Sequence, residues 1–271
     1  MGVLNVTPDS FSDGGLTFDP TAAIDHGRRL AAEGADLLDV GAESTRPGAS
    51  PVSAGEQWRR LEPVLKGLLA GAGVPISVDT ASAEVAQRAL ELGVHVINDV
   101  TALADPGMAP VVAARGAGVI LMHMRGTPAE MQRDPRYEDV VSEVVAWLAA
   151  RAAAARAQGL AVDQIALDPG IGFGKTVQHN LELLARLDRL AELGRPVVVG
   201  LSRKSFLGKL LDLPLGERLE AGLAASAVAV FQGAAILRTH DVKATRRAAA
   251  IALALREARA RESARPESAP S

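Results

Sequence analysis

The chain has no cysteine and few aromatic residues: one tyrosine, two tryptophans and five phenylalanines, 3% of 271 residues. Without thiols there are no disulfides, no thiol nucleophile and no cysteine-based zinc site. Scarce aromatics leave aliphatic side chains to fill the core, so an aromatic set among polar residues stands out. Charge of one sign is also lacking. The 29 basic and 32 acidic residues give a formal net charge of -3 and a pI near 6.0, so no electrostatic feature points to nucleic acid. Long apolar runs are missing too. The longest uncharged stretch, 221–237, lies between Glu220 and Arg238, is rich in alanine, and is interrupted by Gly222, Gln232 and Gly233. A membrane span takes about 20 strongly apolar residues, so a buried helix followed by a strand is the expectation there. The opening MGVLNVTPDS has no basic n-region and does not resemble a signal peptide. These absences predict a soluble, cytoplasmic protein with neither a nucleic acid nor a membrane as partner.

What is present is a rhythm. Eight short aliphatic runs, 3–6, 37–40, 76–78, 94–97, 119–122, 165–167, 197–199 and 235–237, are continuous and often β-branched, as buried parallel strands are. They stop near Asn5, Asp39, Asp79, Asn98, His123, Asp168, Ser202 and Arg238, each a polar residue able to reach a ligand. Helical patterns lie between most of them. Alternating strands and helices imply parallel strands joined by helical crossovers. The length suits one α/β domain, a (β/α)8 TIM barrel over 1–261, whose active sites gather where strands end. The remaining 262–271 is short, polar and rich in Pro and Ser, and reads as a disordered tail.

Helix ends are marked. Asp19 can cap a helix with Pro20 at its first position and Gly34 as its stop, and Ser53 with Glu56 has capping-box spacing. Pro63 is expected to kink or break the second helix. Further helices are expected over 82–92, 143–158, 181–193, 217–231 and 242–261. Three connections, 7–19, 42–53 and 124–137, are longer than ordinary βα loops, and such loops in a compact domain are usually functional. The first holds Phe11 among polar residues, which suits a lid over a planar ligand. The second holds Thr45 and Arg46, a hydroxyl and a guanidinium suited to phosphate oxygens.

Two of these segments, NVTPDSFSDGG and GADLLDVGAESTRPGA, resemble the signature segments of the dihydropteroate synthases. The likeness continues in order through ISVDT, INDV, LMHM, DPGIGFGK, SRKSF and RTHDV, each at an expected strand end. The family implies a reaction in which (7,8-dihydropterin-6-yl)methyl diphosphate and 4-aminobenzoate give 7,8-dihydropteroate and diphosphate. It also implies Mg²⁺ and a homodimer. The family further has a segment ahead of the first strand, often a small hairpin, whereas Met1 here falls almost on that strand. Thr101 stands where the family more often has serine.

The residues make physical sense in that chemistry. A pterin is a flat heterocycle whose guanidine-like edge carries N–H donors, and buried donors need acceptors. Asp168 is the candidate for the bidentate contact, Asp79 and Asn98 for other ring nitrogens, Lys204 for the ring carbonyl and N5, and Met122 for the ring face. The plain alternative for each aspartate is a cap or an ion pair, and for Met122 core packing. The resemblance assigns Asn5, Thr45, Arg46, Arg238 and His240 to the diphosphate, with Asn5 also the protein ligand of magnesium. For 4-aminobenzoate, Ser202 and the N–H groups after it would open a short helix that takes the carboxylate, and Phe11, Pro47 and Phe173 would clamp the ring. Asn5, Arg46, Lys204, Arg238 and His240 are therefore the expected catalytic set. His26, His95, His123 and His179 form no metal pattern and read as structural.

GIGFGKT looks like a phosphate loop, but only three residues separate Gly170 from Gly174 and Pro169 occupies the position of the required glycine. Two other readings stay open at this level. A pterin-dependent methyltransferase would share the Asp and Asn pattern but has no need of Thr45, Arg46, Arg238 and His240. A non-catalytic barrel would be expected to lose Asn5, Phe11 or Arg46, all of which are present.

Overall fold

A computed structural model of the chain describes residues 1–7, 19–43, 52–127 and 130–263. Its strands fall where the aliphatic runs predict them: β1 Gly2–Asn5, β2 Leu38–Gly41, β3 Ile76–Asp79, β4 Val96–Asp99, β5 Gly118–Met122, β6 Ile165–Asp168, β7 Val198–Gly200 and β8 Ile236–Arg238. β1 to β6 pair in sequence order in one parallel sheet, and β7 pairs with β8. Two isolated parallel bridges, Leu167 to Val197 and Gly2 to Thr239, join these pieces. Backbone bonds make the joins: Leu167 N–H to Pro196 O at 2.9 Å, Val3 N–H to Thr239 O at 2.9 Å and Thr239 N–H to Met1 O at 3.0 Å. The ring closes into a barrel, in which each strand among the described residues has a neighbour on both sides.

The helices surround it: α1 Pro20–Ala32, α2 Ala54–Leu69, α3 Ala83–Leu92, α4 Met108–Arg115, α5 Val140–Ala157, α6 Val177–Ala185, α7 Asp188–Ala191, α8 Ser205–Leu211, α9 Leu219–Phe231 and α10 Val242–Ser263. The caps work as expected for α1 and α2, where Asp19 Oδ1 accepts Thr21 N–H at 2.8 Å and Ser53 Oγ accepts Glu56 N–H at 3.4 Å. Pro63 does not end α2, which runs through it. Leu61, Val64, Leu65 and Leu68 flank the proline and are buried, and their packing offsets the hydrogen bond that proline removes.

Other boundaries differ from expectation for local reasons. α4 was not anticipated: it is short, its Gly107 cap has no side-chain bond, and its real marker is Asp105, which accepts Gly107 N–H at 2.9 Å and Ala83 N–H at 2.9 Å. α5 starts at Val140 because Asp139 Oδ1 accepts both Val141 and Ser142 N–H, so Glu143 is a first-turn acid and not the start. The single helix expected over 181–193 is two, α6 and α7, the first capped by Thr176. α10 continues to Ser263, two residues into the expected tail.

Candidate active site

In-register pairing sets the floor of the barrel mouth. Asn5 is level with Gly41, Gly41 with Asp79, and Asp79 with Asn98, while Met122 is level with Asp168 and Gly200 with Arg238. Polar residues at the last position of a strand are therefore brought to one height on several strands. Gly41 matters to this arrangement, since a Cβ there would lie 3.3 Å from the Asp79 Cβ.

Arg238 ties the floor together. Its Nε donates to Asp39 Oδ2 at 2.6 Å and its NH2 to Asp79 Oδ2 at 3.0 Å. Asn98 Nδ2 donates to the same Asp39 oxygen at 3.1 Å. Asp39 is 0% exposed, and its Oδ1 has no hydrogen-bond partner among the described residues. Burial works to lower the pKa of the guanidinium, but Asp39 and Asp79 outweigh it and raise the pKa. For Asp79, burial pushes the pKa up to about 7 against the pull of Arg238, with Asp39, Asp99 and Glu43 adding to the rise.

The opposite wall is built from β6 and the segment before α8. Asp168 Oδ1 accepts Gly170 N–H at 2.7 Å. Burial raises its pKa, opposed by that bond and by the charges of Lys204, Arg238 and Lys175. Lys204 faces Asp168, Arg238 and Asp79, and burial pushes its ammonium down to about 8 while Asp168 pulls it back. Its Nζ lies 4.2 Å from the centre of the Phe173 ring. Asp39, Asp79, Asn98, Asp168, Lys204 and Arg238 thus belong to one electrostatic network.

The loop after β6 packs directly on the end of β5. Gly170, Gly172 and Gly174 all have positive φ, and a Cβ at Gly170 would meet the His123 carbonyl oxygen at 1.9 Å. Lys175, only 3% exposed, turns back beneath this loop. Its Nζ donates to Phe173 O at 3.0 Å and lies 3.0 Å from His123 Nδ1.

The model of a family described as pterin binding enzyme matches residues 1–240. The dihydropteroate synthase of Neisseria meningitidis serogroup C is 50% identical over 250 residues, covering 90% of this chain and 88% of that protein. This chain belongs to the dihydropteroate synthase family. Among solved structures, the Yersinia pestis dihydropteroate synthase in a sulfonamide drug complex superimposes with a TM-score of 0.89 at 43% identity, over 94% of this chain and 93% of that one. The Xanthomonas albilineans dihydropteroate synthase with 4-aminobenzoic acid gives 0.87 at 46% identity, over 98% and 93%.

Against that family, Asp79, Asn98, Asp168 and Lys204 share one network, and Met122 is buried beside Asp168. Asn5 stands at the β1 end and Phe173 against Lys204. Arg238, assigned to the diphosphate, is paired with Asp39 and Asp79. Ser202 does not open a helix: Arg203 adopts a left-handed φ of 60° and α8 begins at Ser205. Ser202 Oγ instead accepts His240 N–H at 3.3 Å and sits 3.1 Å from His240 Nδ1 and 3.4 Å from Asp241 Oδ2. Phe11, Thr45, Arg46 and Pro47 lie outside the described residues. Two site residues were not assigned from the sequence. Asp39 had a visible signal, a charge inside an aliphatic strand run. Lys175 was obscured by the false phosphate-loop pattern around it.

Proposed function

We infer that the chain joins (7,8-dihydropterin-6-yl)methyl diphosphate to 4-aminobenzoate, releasing 7,8-dihydropteroate and diphosphate, as a transferase of folate biosynthesis. The observation that carries this is the meeting of Asp79, Asn98 and Asp168, from three different strand ends, beside Lys204 and Arg238. Asp168 accepts from the guanidine-like edge of the pterin. Asn98, whose Nδ2 already serves Asp39, offers its oxygen to a ring N–H, and Asp79 does the same with Oδ1. Lys204 donates to the ring carbonyl and N5, and Met122 lies against the ring.

The exocyclic C–O bond breaks as the electron-rich dihydropterin takes up positive charge at the methylene. Arg238, His240, Thr45, Arg46 and Asn5 stabilise the departing diphosphate, so catalysis is chiefly electrostatic and positional. Arg238 reaches that anion by exchanging one carboxylate partner for phosphate oxygens. The aromatic amine, held between Phe173, Phe11 and Pro47 with its carboxylate near Ser202, then attacks the methylene and loses one N–H proton to the departing diphosphate or to solvent. Water, which would trap the cation, is excluded by the loops that carry Phe11 and Pro47. Bound magnesium supplies charge neutralisation to the diphosphate. Asn5 offers a hard oxygen ligand, and no group of three or more His, Asp or Glu able to hold a metal occurs among the described residues. That donor set suits an ion held mostly by phosphate and water.

A second copy of the chain is the proposed partner, supported by Val228 on α9 and Ile251 and Leu255 on α10, which are exposed apolar side chains. No helix among the described residues is long and apolar enough to cross a membrane, and a cytoplasmic site of action belongs to the same reading.

Mixing both substrates with Mg²⁺ tests it. Stoichiometric diphosphate and 7,8-dihydropteroate are the expected products. Binding without turnover would leave a non-catalytic pterin protein, and methyl transfer from a methylated pterin to a corrinoid would replace the reading altogether.

A further inference from the structure

Lys175 is an expensive residue in its position. An ammonium taken out of water must be compensated by partners, and a side chain of the same length without charge would fill the space at less cost. Its partners are specific. The Phe173 carbonyl and His123 Nδ1 each lie 3.0 Å from Nζ; burial pushes its pKa down to about 7, and Asp168 is the carboxylate that opposes this, so the charge is present on the acid side of that value.

His123 is the acceptor of this pair. Burial, then the charge of Lys175, pushes its pKa down to about 3. The ring is neutral at working pH, and opposite an ammonium, which has only donors to offer, the Nδ1 lone pair is the acceptor. The ring is fixed by an edge contact to Trp147, with centroids 4.9 Å apart. The loop it supports is held at two further points. Gln132 Nε2 donates to Gly172 O at 2.6 Å and Tyr137 OH to Gly174 O at 2.9 Å. The loop is thus tied from outside by the β5–α5 connection and from beneath by Lys175.

We propose that Lys175 is a positioning residue: its Nζ, held between His123 and the Phe173 carbonyl, fixes the Phe173 loop so that Phe173 packs against Lys204, and its charge acts on Asp168, the residue that faces the amino edge of the pterin. The proposal deepens the functional reading above and depends on Asp168 and Lys204 meeting that ring. Its electrostatic half involves a short set of groups. Asp168 is faced by Lys204 before α8, Arg238 on β8 and Lys175 in its own loop. Lys175 is faced by Asp168, Lys204, Arg125 and His123. Removing Lys175 deprives Asp168 of one of the cations that face it among the described residues, and its pKa, already raised by burial, rises further.

Two variants separate the hydrogen bonds from the charge. Lys175→Met removes both, and Lys175→Gln keeps an N–H donor for Phe173 O without the charge. Pterin diphosphate affinity is read by calorimetry, and kcat and KM for both substrates are read across pH, with thermal unfolding as the check on folding. For Lys175→Met the expected result is a loss of pterin affinity of about tenfold, the effect of leaving buried partners unsatisfied, and a higher KM for 4-aminobenzoate. The acid limb of kcat/KM for the pterin moves to higher pH. Lys175→Gln recovers most of the affinity but keeps the displaced limb.

An affinity and acid limb equal to those of the unmodified protein in Lys175→Met overturn the proposal. So does a loss of affinity with the limb unmoved in both variants, which is the mark of packing alone. Should Lys175→Met not fold, Lys175→Gln decides: an unmoved limb in it overturns the electrostatic role. Failure of the underlying reading looks different, because then the unmodified protein does not bind the pterin diphosphate and Asp168→Asn changes nothing.

Discussion

The carboxylates of the site and two of its cations, Lys204 and Arg238, come from different parts of the barrel. Asp39, Asp79 and Asp168, with Asn98, stand on β2, β3, β6 and β4, all within the continuous sheet from β1 to β6. Lys204, Arg238 and His240 belong to the two-stranded remainder and its loops, which joins that sheet through isolated bridges. The acceptors that read a rigid ring are set by strand register, where displacing one means displacing a ladder. The cations sit on long side chains at the ends of a two-strand pair, where they can change partners as an anion forms and leaves. Recognition is built into the backbone, and charge compensation is left to rotamers.

Arg238→Ala removes a side chain that bonds the carboxylates of one part from the strand pair of the other. Turnover is expected to fall by at least about tenfold, roughly 1.4 kcal/mol in the barrier. The same change leaves Asp39 and Asp79 buried without their guanidinium, at a cost of about 3–5 kcal/mol in stability when a buried pair is broken. Urea unfolding beside steady-state kinetics measures both. Lost turnover at unchanged stability would mean that Arg238 spends its time on the anion and not on the carboxylates, and the division drawn here would be wrong.

The strand register was legible in the sequence because it needs only aliphatic runs and the polar residue that ends each one. Asp79, Asn98 and Asp168 could be placed at one mouth for that reason. Partner choice was not legible. Arg238 follows the last strand and matches a phosphate-binding position, yet Asp39, distant in sequence, competes for it. Ser202 precedes what reads as a helix start, but the left-handed Arg203 delays the helix to Ser205. Lys175 could not be placed either, since its role depends on how three glycines fold the loop back onto His123. Short local patterns carry register and caps, whereas side-chain pairing across the barrel depends on the closed ring.

The comparison is sharpened by pH. Burial lowers the Lys204 ammonium from its ordinary value of 10.5 to about 8, with Asp168 opposing. As pH rises through about 8, Lys204 loses its charge and donates less strongly to the ring carbonyl, so kcat/KM for the pterin is expected to fall on the alkaline side. Stability moves the other way. Between about 8 and 10.5 the unfolded chain binds the proton that the folded one has released, and stability contributed by this group rises with pH across that window. Lys204→Arg, charged throughout, removes the alkaline limb. If the limb persists in Lys204→Arg, a different cation governs the pterin end.

The smallest effect is expected where the two parts no longer share a partner. Ser202 Oγ bonds to His240 and Asp241, both on the β8 side, and none of the sheet carboxylates is among its partners. Ser202→Ala removes one neutral hydroxyl, typically worth about 0.5–1.5 kcal/mol. KM for 4-aminobenzoate is expected to rise by a few fold, with pterin affinity unchanged by calorimetry, because Asp79, Asn98 and Asp168 keep their register. The backbone N–H of His240 also loses an acceptor, so a small fall in kcat accompanies the change. Weakened pterin binding in this variant would show that a loop on the cation side moves the carboxylates, and recognition and charge compensation would have to be treated as one unit.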